Sequence, residues 1–164
     1  MFKIKPIYQV IVTLIVFFFA INCARANVLN DIWGVAPPNS FYLGMWSVHF
    51  SKRGERRDNN TNDLIGIVYH SLFFGTLRNS WSTRMWAGGI QRNFFAIPFG
   101  NGFVYTLGYR AGLVSGYDGR MMKLADKTPV LPFAQLLTAI RYKHFAAEIS
   151  YTGIVISGEL FFAF

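Results

Sequence analysis

In 103–116 and again in 144–164 apolar side chains recur at alternate positions, and after Ile21 no apolar run approaches the roughly 18 residues that a spanning helix needs. Phe103, Tyr105, Leu107, Tyr109, Ala111 and Leu113 share one face, opposite Gly108, Arg110 and Gly112. Phe145, Ala147, Ile149 and Tyr151 alternate with His144, Ala146, Glu148, Ser150 and Thr152. Ile156, Gly158, Leu160, Phe162 and Phe164 then alternate with Ser157 and Glu159. Earlier, Tyr42, Trp46, Val48 and Phe50 share a face opposite Ser47, His49 and Ser51. A period of two sustained over about ten residues is the pattern of a strand with one apolar face.

Composition narrows the choice of sheet. Hydrophobic residues make up 52% and charged residues 15%, against about 25% charge in an ordinary soluble domain. Such a chain is too apolar for disorder. Apolar strands without a spanning helix point to a closed barrel, in which the backbone satisfies itself between strands and alternate side chains face lipid. The expected fold is all-β, a small antiparallel up-and-down transmembrane β-barrel of eight strands. Seven strand segments are visible, at 41–52, 63–77, 81–93, 103–116, 129–141, 144–153 and 155–164. Barrels of this kind carry even strand numbers, so either Val28–Val35 supplies an eighth or one segment is two. The terminal Phe164 resembles the C-terminal signature of bacterial outer-membrane barrels.

Residues 1–26 read as an export signal: Lys3 and Lys5, an apolar Val10–Ile21 core, and Ala24-Arg25-Ala26 as the cleavage site. The barrel domain is then 27–164, in the outer membrane of a Gram-negative-type envelope, and Cys23, the only cysteine, leaves with the signal. Losing Lys3, Lys5 and Arg25 lowers the formal charge from +8 to +5. That balance suits anionic lipid; with aromatics so abundant and basic clusters so few, it does not suit nucleic acid. Membrane lipids are the expected partners, and a monomer the expected state.

The inward faces carry the candidate chemistry. In 63–77 the face of His70 includes Leu64, Val68, Leu72 and Phe74, so part of the interior reads as apolar. Gly108 and Gly112 leave a wall without side chains, and with Leu72 and Phe74 they form a candidate acyl-chain pocket; plain core packing is the competing reading. Pro129 and Pro132 cannot donate to a ladder and mark a seam for lateral access, or only a strand start. Arg84, Arg92, Arg110, Arg141, Glu148 and Glu159 lie within strands and are expected to face inward and pair. Lys52–Arg57 is a basic loop fit for lipopolysaccharide phosphates or for solvent. His70 and His144 are expected in the lumen. No zinc, nucleotide or haem motif is present, so no metal or cofactor is expected.

Five patches, in this order, carry a family resemblance. They are Tyr69-His70-Ser71-Leu72, Arg78-Asn79-Ser80-Trp81, Ala111-Gly112-Leu113-Val114, Pro129-Val130-Leu131-Pro132 and the aromatic C-terminus. Over 41–164 the chain resembles the lipid A palmitoyltransferases of the outer membrane. The resemblance implies an eight-stranded barrel that takes an acyl chain from a phospholipid and transfers it to lipid A. It implies a catalytic set of His49, Asn79 and Ser80, with the acid of the family's Asp-Ser pair replaced by Asn79. The chain between His49 and Ser80 is shorter than in the family; were 63–77 one strand, these residues would sit at opposite mouths, about 25 Å apart. The N-terminal helix of the family is reduced to a stretch around Asn30–Val35. The alternative is a non-catalytic small barrel with a structural or binding role. A deacylase barrel is disfavoured, because adjacent His70 and Ser71 would face opposite sides of a strand.

Overall fold

The computed structural model describes residues 33–50, 60–79, 81–117, 125 and 127–164. Eight strands follow in chain order: β1 Ser40–His49, β2 Ile65–Tyr69, β3 Leu72–Arg78, β4 Arg84–Pro98, β5 Phe103–Ser115, β6 Val130–Tyr142, β7 Phe145–Tyr151 and β8 Val155–Ala163. Each pairs antiparallel with the next, and β8 returns to β1, closing an up-and-down barrel. The expected eight-stranded antiparallel barrel is therefore the architecture found. Among the described residues no helix is long and apolar enough to cross a membrane.

The missing eighth strand comes from dividing 63–77. His70 and Ser71 both take positive φ, 48° and 70°, and form a two-residue turn with Tyr69 paired to Leu72. Two left-handed residues in sequence match the twist of a tight hairpin. Val35 contributes only an isolated bridge to Asn93; residues 28–32 lie outside the described residues. β4 also runs on to Pro98, through a bulge between Asn93 and Phe95, where a connection over 94–102 was expected.

The outward faces of β5, β7 and β8 agree with the alternation read from sequence. β1 does not, because of a bulge at Gly44 (φ 77°) between Leu43 and Met45. A bulge adds one residue and reverses which face follows. Tyr42 is thus fully buried inside, whereas Trp46 and Val48 are exposed outside. The long connections 50–64, 79–83 and 116–129, with the short 152–154, gather at one mouth, here the loop mouth. The turns 70–71, 99–102 and 143–144 gather at the other, the turn mouth.

Candidate functional site

Dividing 63–77 brings His49, at the end of β1, and Asn79, at the end of β3, to the same loop mouth. Between them Asn62 acts as a buried clamp. Its Oδ1 accepts from Ser47 Oγ at 2.7 Å, its Nδ2 donates to the Arg78 carbonyl at 2.8 Å, and its N–H donates to the Met45 carbonyl at 2.8 Å. Asn79 is 4% exposed. Its Oδ1 accepts from the N–H groups of Trp81 and Thr83, both at 3.0 Å, and its Nδ2 donates to the Gly116 carbonyl at 3.2 Å. Both ends of the amide are committed to holding the β3–β4 turn against the end of β5. Ser80, and the basic loop within 51–59, lie outside the described residues, as do residues 1–26 with Cys23.

The proposed acyl-pocket residues are not brought together. Leu72 and Phe74 are 63% and 56% exposed and face outward, because the His70-Ser71 turn shifts the inward positions of β3 to Phe73 and Gly75. Gly108 and Gly112 do face inward, yet they open no volume. A Cβ at Gly112 would overlap the Gly88 carbonyl and lie 2.6 Å from the Gly89 Cα. At Gly108 it would overlap the Arg92 carbonyl and lie 2.8 Å from Asn93 Oδ1. The space is filled by β4 itself, so these glycines serve close strand approach. The loop-side half of the lumen is apolar and filled by buried Met45, Leu64, Met85, Val114 and Leu131, with half-buried Leu77 against them. Tyr117 packs there too, and burial pushes its phenol above the ordinary value.

Pro132 lies within β6, exposed, and Pro129 just before it. The β6–β7 ladder stops at Leu136–Tyr151, so among the described residues 130–135 pair with β5 alone. The seam beside Pro132 is unzipped on the loop side.

A polar cluster, which the sequence announced only as charges to be paired, crosses the middle of the lumen. Arg110 donates through Nη2 to Glu148 Oε1 at 2.9 Å, through Nη1 to Glu159 Oε2 at 3.2 Å, and through Nε to Gln91 Oε1 at 2.9 Å. Tyr42 donates to Glu148 Oε2 and accepts from Gln91 Nε2, both at 3.0 Å, and Ser150 donates to Glu159 Oε1 at 2.9 Å. The guanidinium also lies 4.1 Å over the Phe73 ring. Tyr42 was unreadable as a member, since the Gly44 bulge hides its face.

The other predicted charges and histidines differ. Arg92 faces outward and donates to Ser71 Oγ and the Gly34 carbonyl. Arg84 is exposed at the loop mouth, opposite Arg78. Arg141 does face inward, near the turn mouth. His70 sits in an exposed turn instead of the lumen, its N–H donating to Asn39 Oδ1. His144 is exposed beside the β6–β7 turn, with Nδ1 2.8 Å from the Ala163 carbonyl. Among the described residues no cluster of His, Cys, Asp and Glu could hold a metal. No protein-family model matches the chain, and no curated protein matches it.

Proposed function

We propose that the chain is an outer-membrane barrel that transfers a fatty acyl chain from a phospholipid to lipid A at its loop mouth. Its inside-out side-chain distribution supports the membrane setting. Leu72, Leu113 and Phe145 are 63%, 57% and 70% exposed on the outer face, while Arg110, Glu148 and Glu159 are 2–3% exposed inside. A girdle of that kind drives association in water and suits hydrocarbon, where the ladder is closed apart from the loop side of the β6–β7 seam. In such barrels the long loops face outward and the short turns face the periplasm, which sets the loop mouth in the lipid A leaflet.

One observation carries the activity: the β2–β3 hairpin sets His49 and Asn79 at a single mouth, above an apolar half-lumen, in a barrel whose β6–β7 seam is unzipped on that loop side. In the reaction His49 takes the proton from a lipid A hydroxyl, which attacks the phospholipid ester carbonyl. A new ester forms, the glycerol ester bond breaks, and the proton passes to the leaving alkoxide, giving a lysophospholipid. Ser80, the residue after Asn79, serves the developing oxyanion. The acyl chain belongs in the loop-side half-lumen, by displacement of flexible Met45 and Met85, and no longer against Gly108 and Gly112.

A second reading, a non-catalytic barrel, is favoured by the committed Asn79 amide and by the side chains that fill the lumen. Mass spectrometry of lipid A from cells with and without the protein separates the two. An added acyl chain that is lost in both His49→Ala and Ser80→Ala supports transfer. Unchanged lipid A with a folded, heat-modifiable barrel leaves the second reading. Recovery of the chain as a soluble periplasmic protein would overturn both.

A further inference from the structure

On the turn side of the Arg110 cluster the lumen opens into a vestibule of about 80 Å³ with a mixed lining, apolar at Pro37, Pro38, Val104 and Phe161, room for a group the size of a few waters. Tyr42, Gln91 and Glu148 form its roof, and Asn93, Thr106 and Arg141 line one wall, from β4, β5 and β6. Register sets those three side by side: Asn93 pairs with Gly108, and two residues along β5 Thr106 pairs with Ala96. Arg141 pairs with Val104, the next inward position.

Asn93 is 6% exposed, and its side-chain amide makes no hydrogen bond with any described residue. The amide lines the cavity, where it can bond a ligand or water. Its placement is built. The backbone is held both ways by Val35, with N–H···O distances of 2.7 and 2.9 Å, and Oδ1 occupies the space a Gly108 Cβ would need. Thr106 adds a hydroxyl that makes no hydrogen bond among the described residues, and Arg141 adds a guanidinium, Nη1 of which donates to the Lys143 carbonyl.

Charge selects the ligand class. Both oxygens of Glu148 are engaged by Arg110 and Tyr42. Among the described residues that line the vestibule Arg141 is the one cation and Glu148 the one carboxylate, and from that roof to the turn mouth the described side chains include no Asp or Glu. We infer that this vestibule binds the oxyanion of a small phosphate-bearing molecule, through the Asn93 amide, the Thr106 hydroxyl and the Arg141 guanidinium. A guanidinium with two neutral donors is suited to phosphate oxygens. The site is separated by the Arg110 cluster from the loop mouth, so it stands whether or not acyl transfer occurs there.

The test titrates inorganic phosphate into the mature barrel, refolded in a neutral, phosphate-free detergent, by calorimetry. Saturable binding of one phosphate is expected, weakened about tenfold or more in Asn93→Asp and Arg141→Ala. Thr106→Val, which preserves shape, should weaken it less and keeps the test decisive if either of the others fails to show heat-modifiable mobility. Short-chain phosphatidylglycerol identifies the source: competition with phosphate assigns the site to a lipid headgroup, and its absence to a free solute phosphate. No saturable binding, or binding unchanged in the folded variants, overturns the site and leaves the vestibule to water.

Discussion

Asn79 stands where the resembled family carries an acid, and its surroundings explain the amide. An aspartate would keep the bonds from the Trp81 and Thr83 N–H groups, lose the donor to Gly116, and set a carboxylate against that carbonyl. Asn79→Asp should therefore cost about 1–3 kcal/mol, the penalty of a buried group left unpaired, read from the urea midpoint in detergent. A faster acyl transfer without loss of stability would instead place the residue in the family's acidic role. Tyr42→Phe tests the lumen in the same way. It removes a hydroxyl that serves Glu148 and Gln91 together, and should cost a similar amount; an unchanged midpoint would mean that water replaces the hydroxyl.

At the scale of elements, β4 and β5 touch through their glycines. The alanine methyl in Gly112→Ala has the Gly88 carbonyl in its way, and backbone in a ladder cannot yield as a side-chain tip can. Loss of more than about 2 kcal/mol is expected, with little heat-modifiable product for Gly112→Met. A well-folded Gly112→Met would restore the pocket reading. The same elements show what the sequence could reveal. β5, β7 and β8 were legible because their alternation is uninterrupted, and it places Arg110, Glu148 and Glu159 inside. β1 misled because its bulge reverses the inward face, and the mid-strand Gly44 was its only mark. The β2–β3 turn was illegible because His70-Ser71 carries none of the glycine or asparagine that usually signals two left-handed residues. With the turn hidden, Leu72 and Phe74 read as inward, and whether His49 and Ser80 share a mouth stays open. Gly108 and Gly112 were located correctly but read as space, since periodicity cannot report how closely two strands approach.

At the scale of the molecule, the Arg110 cluster ties together strands from all round the barrel. Its hydrogen bonds join β1, β4, β5, β6, β7 and β8 through Tyr42, Gln91, Gln135, Glu148 and Glu159, and its guanidinium caps Phe73 of β3. Two carboxylates share one guanidinium, and Glu148 lies directly across from Glu159 in the β7–β8 ladder. That stoichiometry makes the cluster asymmetric to mutation. Arg110→Met leaves two buried carboxylates without a cation, a change that costs about 3–5 kcal/mol where a buried pair is broken. Glu159→Gln leaves one carboxylate per guanidinium, keeps an oxygen for Arg110, and turns an amide toward Ser150, whose hydroxyl can rotate to accept. It should stay within about 1 kcal/mol of the parent. Adding Glu159→Gln to Arg110→Met should recover part of the loss, because it removes one stranded charge. Urea unfolding in detergent, followed by fluorescence of the 4 tryptophans, measures all three. Were Glu159→Gln to cost as much as Arg110→Met, the cluster would be holding the strands by shape and hydrogen-bond count, and its charge balance would have no part in closing the barrel.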